Sequence, residues 1–247
     1  VAIGVAVAII VLVLAYPNLP SLELLTDYRP KIPLRVYTAD NHLIGEFGEE
    51  RRNLTPIEDI PDVMKNAVLA IEDTRFFEHG GVDYKGMVRA ALANLGRVKS
   101  QGASTITMQV ARNVYLSSEK TFTRKIYEIL LTFKLEHFLT KDQILEIYMN
   151  QIYLGNRAYG FAAASETYFG KPPKDVTIAE AAMPAGIPEF PSSANPIANY
   201  ARPRERQLHI IDRMQENGLI TAQQATEAKQ QELVVRPGNE APRVHAE

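Results

Sequence analysis

The chain has 247 residues, a formal net charge of −2 and no cysteine. That length fits one core of ordinary size with appendages, and the near-neutral charge argues against a nucleic-acid binder. Without cysteine there is no disulfide frame, no thiolate chemistry and no zinc–sulfur site. In chain order, residues 1–16, VAIGVAVAIIVLVLAY, carry no charge. A bilayer core takes about 20 helical residues. This run, which starts at Val1 rather than Met, predicts the outer part of a transmembrane helix ended by Pro17 and Pro20. A secretory apolar region is the other reading, but Tyr16-Pro17-Asn18-Leu19-Pro20 does not resemble a small-residue cleavage site. Residues 17–58 read as a connector. Within it, LRVYTADNHLIGEF (34–47) alternates and turns at Ala39-Asp40-Asn41, which predicts a short β-hairpin. EERRNLTPIEDIP then reads as a polar bridge.

From 59 to 231 the patterns are helical. PDVMKNAVLAI predicts a helix with apolar positions at Val63, Ala67, Val68, Ala70 and Ile71. Ser104 and Thr105 open a short helix ending near Val114. Thr123 opens a long one through Ile126, Ile129, Leu130, Phe133 and Phe138. Thr140 with Gln143, Thr177 with Glu180 and Thr221 with Gln224 are capping-box starts, the last following a stop at Gly218. No βαβ alternation occurs, so the fold class is mainly α rather than a doubly wound sheet. Residues 232–247, rich in proline and charge, read as a linker to a further domain.

Chemistry concentrates in four segments. The first is EDTRFFEHGGVD (72–83). Glu72 and Asp73 close the first helix, followed by Phe76, Phe77, His79 and the pair Gly80–Gly81. A helix C-terminus and nearby aromatic rings both disfavour an ionised carboxylate. Such surroundings prepare a general base, although a solvated helix end has the same look. The second segment is QGASTITMQVARN (101–113). Ser104 and Thr105 place hydroxyls and N–H groups at a helix start, which suits an anion. Gln109 and Arg112 follow Thr105 by four and seven residues and share its face. A plain N-cap on a core helix is the alternative. The third is TRKIYE (123–128), where Arg124 and Glu128 at i and i+4 also make an ordinary helix-stabilising pair. The fourth is ILEIYMNQIYLGNRAYG (144–160), whose Tyr and Leu spacing is mostly core.

Charge is uneven. Residues 40–83 hold eleven acids and four bases, whereas 97–141 hold eight bases and three acids. An acidic base candidate followed by a basic stretch suggests handling of an anionic group, against the commoner outcome of a solvated face.

In their order and spacing the four segments resemble the glycosyltransferase family 51 domain of class A penicillin-binding proteins, of the Gram-negative bifunctional type. The resemblance covers roughly 59–231. It implies a lysozyme-like bilobal helical domain that polymerises lipid II into β-1,4 glycan with inversion, displacing undecaprenyl diphosphate. It implies Glu72 as the base, with Asp73, Phe76 and His79 in support. Ser104, Thr105, Gln109, Arg112 and Asn113 match the second motif, Arg124, Lys125 and Glu128 the third, and Lys120 a further phosphate contact. Glu128 would orient the cations. No cofactor is required; Mg²⁺ or Mn²⁺ arriving with the diphosphate near Glu128 stays open. Ala103 and Met108 depart from the family pattern, which often has Gly and Gln there. The implied partners are lipid II, the growing glycan on its prenyl carrier, the bilayer, a downstream transpeptidase domain and cell-wall synthesis proteins. The implied place is the periplasmic face of the bacterial inner membrane, reached by a single pass.

With both substrates tethered in the bilayer, YKGMVRAALANLGRV (84–98) reads as an interfacial helix, with core packing as its alternative. The Gly96–Gly102 stretch is a candidate gate. Ser117-Ser118-Glu119-Lys120 fits S-x-x-K, but no K-T-G follows, so penicillin binding by this chain is not expected. The five histidines show no i, i+4 pair, which argues against a dedicated zinc site. Two rivals stand: a lysozyme-like hydrolase or lytic enzyme, which has no need of the cations from Arg112 to Lys125, and a non-catalytic membrane scaffold.

Overall fold

The structure, a computed structural model, describes residues 19, 34–40, 43–47, 50–88, 104–115, 122–188, 196–197 and 200–236. The expected anchor at 1–16, the stretch 89–103 with its candidate gate, Lys120 with the S-x-x-K run, and the tail from 237 lie outside the described residues. Among the described residues no helix is long and apolar enough to cross a membrane.

The chain divides into two compact units, one of Val1–Tyr28 with Arg75–Tyr148, the other of Arg29–Thr74 with Met149–Glu247. Both are mainly helical, as expected. Eight helices are described: α1 (Asp62–Glu72), α2 (Ile106–Tyr115), α3 (Phe122–Phe138), α4 (Lys141–Gln151), α5 (Phe161–Phe169), α6 (Ile178–Ala185), α7 (Ala201–Glu216) and α8 (Ala222–Gln230). A further helical turn covers 84–88.

In the unit of 29–74 and 149–247, β1 (Leu34–Tyr37) and β2 (Leu43–Phe47) form the expected antiparallel hairpin, with Leu34 opposite Phe47 and an irregularity after Val36. The segment read as a polar bridge is different. Its β3 (Arg51–Arg52) pairs in parallel with β4 (Ala158–Tyr159). Arg52 is buried, stacks 4.2 Å over the Tyr159 ring and donates to Glu50 at 2.7 Å. Thr55 and Asn150 exchange two 2.9 Å hydrogen bonds. Asn150 is thus interior yet satisfied, by a segment 95 residues away in the chain.

The core of this unit is α6, packed on α1, α5, α7 and α8. Its sequence, IAEAAMPA, offers mostly methyl groups, so neighbouring backbones approach closely. Seven of its eight residues are buried, including Glu180. Glu180 is tolerated there because it completes the capping box with Thr177 and pairs with Lys171 at 2.7 Å. Gln207 of α7, fully buried, donates to the Ala179 carbonyl and accepts from Arg204, whose other nitrogen reaches Lys229 O. The Thr221–Gln224 box starts α8, and Gly218 before it takes φ +70°, a conformation open to glycine at little steric cost. Tyr168 donates to Leu154 O at 2.5 Å. Burial pushes its phenol above its ordinary range; the Asn156 hydrogen bond opposes that rise and Tyr153 adds to it.

The unit of 75–148 pairs α2 with α3. Glu128, Leu131, Thr132 and Leu135 form the buried face of α3, on the 3–4 residue spacing that an amphipathic helix needs. The Thr140–Gln143 box opens α4 with reciprocal bonds of 2.9 and 3.2 Å.

Candidate functional site

The described candidates fall in both units, Glu72 and Asp73 in that of 29–74 and 149–247 and the others in that of 75–148. Glu72 is the last residue of α1 and is half-buried. Asp73 follows as the C-cap; its backbone N–H donates to Leu69 O at 3.2 Å and its side chain is buried. The two adjacent carboxylates therefore sit where the helix carbonyls gather, the placement the sequence suggested.

In the other unit, residues 76–81 form a compact turn. Phe76 is fully buried and Phe77 exposed, their rings edge to face at 5.2 Å. The His79 ring lies edge-on to Phe76 at 6.3 Å, and its Nδ1 accepts the Gly81 N–H at 3.2 Å. Gly81 takes φ +93°, and a Cβ there would fall 2.6 Å from Thr132 Cγ2. Only glycine fits both demands. Its carbonyl accepts from Thr105 Oγ1 at 2.5 Å. The same hydroxyl accepts the Met108 N–H at 3.2 Å, so Thr105 caps α2 and ties it to the turn. First and second motifs thus meet through one threonine.

Gln109 is buried beside Thr105 on α2, Arg112 is half-buried one turn on, and Asn113 is exposed. On α3, Arg124 is half-buried and Lys125 exposed. Glu128 is only 1% exposed and binds Lys125 Nζ at 2.6 Å. A buried carboxylate needs such a partner, and the pair holds the ammonium in one place. Ser104, Lys125 and Met108 line a cavity of about 180 Å³ whose other walls are Val82, Tyr84, Met87 and Ile129. The departure at Met108 thus makes one wall apolar. Sequence reasoning had placed Tyr84 and Met87 on an interfacial helix, not at this cavity; Val82 and Ile129 carried no signal beyond being apolar.

Chemically, the cavity surface is almost wholly apolar, with Ser104 and Lys125 among the residues that line it. A hydrocarbon segment suits that surface, and the start of α2 and the Lys125 ammonium are the groups of its lining residues that suit an anion. Lys120 lies outside the described residues.

The sequence profile of the family Transglycosylase matches residues 40–215. Penicillin-binding protein 1A of Neisseria gonorrhoeae is 55% identical over 232 residues, which are 93% of this chain and 29% of that protein. A Cupriavidus necator protein with a provisional transglycosylase name is 51% identical over 218 residues, 88% of this chain and 86% of the relative. The crystal structure of penicillin-binding protein 1A from Haemophilus influenzae aligns with TM-score 0.48 and 27% identity, covering 84% of this chain and 22% of that one. The chain thus spans under a third of the length of the penicillin-binding protein 1A relatives. With the profile covering most of its length and a relative matched nearly end to end, the chain belongs to the transglycosylase family.

Proposed function

We propose that this chain is a peptidoglycan glycosyltransferase that polymerises lipid II at the outer face of the bacterial inner membrane. The observation that carries the reading is the pairing of a fixed ammonium, Lys125 on Glu128, with an apolar cavity also lined by Ser104. A prenyl diphosphate has those two halves, one anionic and one hydrocarbon. Glu72 takes the proton from the acceptor GlcNAc 4-hydroxyl. That oxygen attacks the donor anomeric carbon, and the bond to the diphosphate breaks with its electron pair leaving on undecaprenyl diphosphate. One direct displacement inverts the centre and needs no covalent intermediate. Arg112, Lys120, Arg124 and Lys125 are the cations that would meet the charge developing on the leaving group. Asp73, Phe76 and His79 support the base, and Thr105, Gln109 and Asn113 belong to the anion-facing helix.

The proposed displacement requires no cofactor, and Mg²⁺ or Mn²⁺ arriving with the substrate diphosphate near Glu128 is compatible with it. The bilayer is the proposed neighbour because Tyr84, Met87 and Val88 on 84–88, with Ile126, Phe133 and Phe138 on α3, are exposed apolar side chains. A downstream transpeptidase domain and cell-wall synthesis proteins are the proposed partners in the parent protein.

Lipid II incubated with the chain and resolved on a gel tests the reading. Longer glycan is expected, abolished by the donor-site inhibitor moenomycin; shorter products from preformed glycan would make the chain a hydrolase. Glu72→Gln should lower the rate by about 10²–10⁴ at unchanged folding, and near-normal polymerisation would remove the base assignment.

A further inference from the structure

Two charges in the unit of 75–148 stand at the wrong ends of their helices. Glu136 lies in the last turn of α3, and Lys141 is the first residue of α4. A carboxylate among terminal carbonyls and an ammonium among initial N–H groups both oppose the helix dipole. Neither is placed for the sake of its own helix. They are joined across the corner: Lys141 Nζ lies 2.7 Å from Glu136 Oε1, with both side chains largely buried.

What they touch is the turn that carries the first motif. Lys141 Nζ sits 4.4 Å over the Phe76 ring centroid, a cation–π contact on a fully buried ring. The Glu136 Cγ lies under Gly81, where an added Cβ would come within 2.9 Å. The same Glu136 Oε1 accepts from Thr107 Oγ1 of α2. One carboxylate therefore gathers α2, the start of α4 and the 76–81 turn, while its lysine closes over the aromatic core of that turn. Phe76 follows Glu72 by four residues in the chain, and His79 and Thr105 are bonded to Gly81 on its two sides.

We propose that Glu136 and Lys141 are positioning residues for glycosyl transfer: they hold the Phe76–Gly81 turn, and with it the entry of α2, in the arrangement the reaction needs. The proposal rests on the lipid II reading above. Neither residue touches substrate; both act through Phe76 and Gly81. Cation–π geometry and the ion pair distinguish a lysine from an apolar residue of equal length, so Lys141→Met removes the charge while keeping the stem.

The test is steady-state polymerisation of lipid II by the full chain in detergent, with thermal melting alongside. Lys141→Met should lower kcat by about tenfold to hundredfold, the scale of a small misplacement of reacting groups, with KM for lipid II nearly unchanged. Lys141→Arg, which keeps a cation over the ring, should recover most of that loss. Glu136→Gln, which keeps an acceptor for Thr107 and is the second route should Lys141→Met fold poorly, should lower kcat in the same direction and by less. Rates equal to wild type in Lys141→Met or in a folded Glu136→Gln overturn the positioning role alone. So does a Lys141→Arg variant as impaired as Lys141→Met with an equally lowered melting point, which marks a purely structural pair. Absence of glycan from the wild-type chain overturns the lipid II reading and this proposal together.

Discussion

α6 and α3 belong to different units and bury themselves in opposite ways. Seven of eight residues of α6 are buried, and most are alanines whose small side chains admit close neighbours on several sides. α3 has one buried face, from Glu128 to Leu135, and leaves Ile126, Phe133 and Phe138 exposed. A helix sealed all round serves only the stability of its own unit. A helix with large exposed apolar groups retains a cost in water that a lipid surface would relieve. The candidate groups fall on the same line: Glu72 and Asp73 belong to the unit of α6, and the described motif cations, with Glu128, to the unit of α3.

The sharpest way to test that division is to remove one cation. Arg112→Ala should raise the barrier to polymerisation by about 2–4 kcal/mol while leaving the melting temperature nearly unchanged. A variant with wild-type turnover would mean that α2 contributes packing rather than charge. Overfilling the sealed helix should do the reverse. Ala182→Leu, at a fully buried position, is expected to cost about 1–3 kcal/mol of stability, read by denaturant titration. If stability is unaffected, α6 is not as tightly enclosed as its burial indicates.

Tyr168→Phe should cost about 1 kcal/mol near neutral pH, because Leu154 O loses its donor. Its pH dependence has a definite sign. The folded-state phenol is raised above its unfolded value, so its contribution is complete below about pH 10 and falls as pH rises further. The Phe variant should lose stability less steeply in alkali than wild type, measured by melts between neutral pH and pH 11; parallel curves would contradict the shift. The smallest effect on stability belongs to the exposed stripe. Phe133→Ser should change it by no more than about 0.5 kcal/mol, yet weaken binding to anionic lipid vesicles roughly tenfold. Unaltered vesicle binding would detach α3 from the membrane reading.

Much of the fold was legible residue by residue, because the signals are short-range. Capping boxes at Thr140, Thr177 and Thr221 need only a residue three positions on, and all three form. The hairpin over 34–47 and the helix ending at Glu72 obey local alternation and periodicity in the same way. The candidate site was legible for a different reason: motif residues such as Thr105, Gln109, Lys125 and Glu128 carry a family pattern in their identities and spacing. Their burial and partners were not. Glu128 reads from sequence as the i+4 partner of Arg124, yet its carboxylate holds Lys125.

The sequence by itself determined a mainly helical chain, the capped starts of α2, α4, α6 and α8 and the turn at Asp40, and it named the candidate residues from Glu72 to Glu128. Only the tertiary structure decided the rest. The parallel pairing of Arg51–Arg52 with Ala158–Tyr159, the Thr55–Asn150 exchange across 95 residues, and the gathering of Phe76, Gly81 and Thr107 around Glu136 and Lys141 all join distant segments. Periodicity and capping act within a turn or two of helix. Whether a charged side chain faces water, a ring or another charge depends on what the rest of the chain brings beside it.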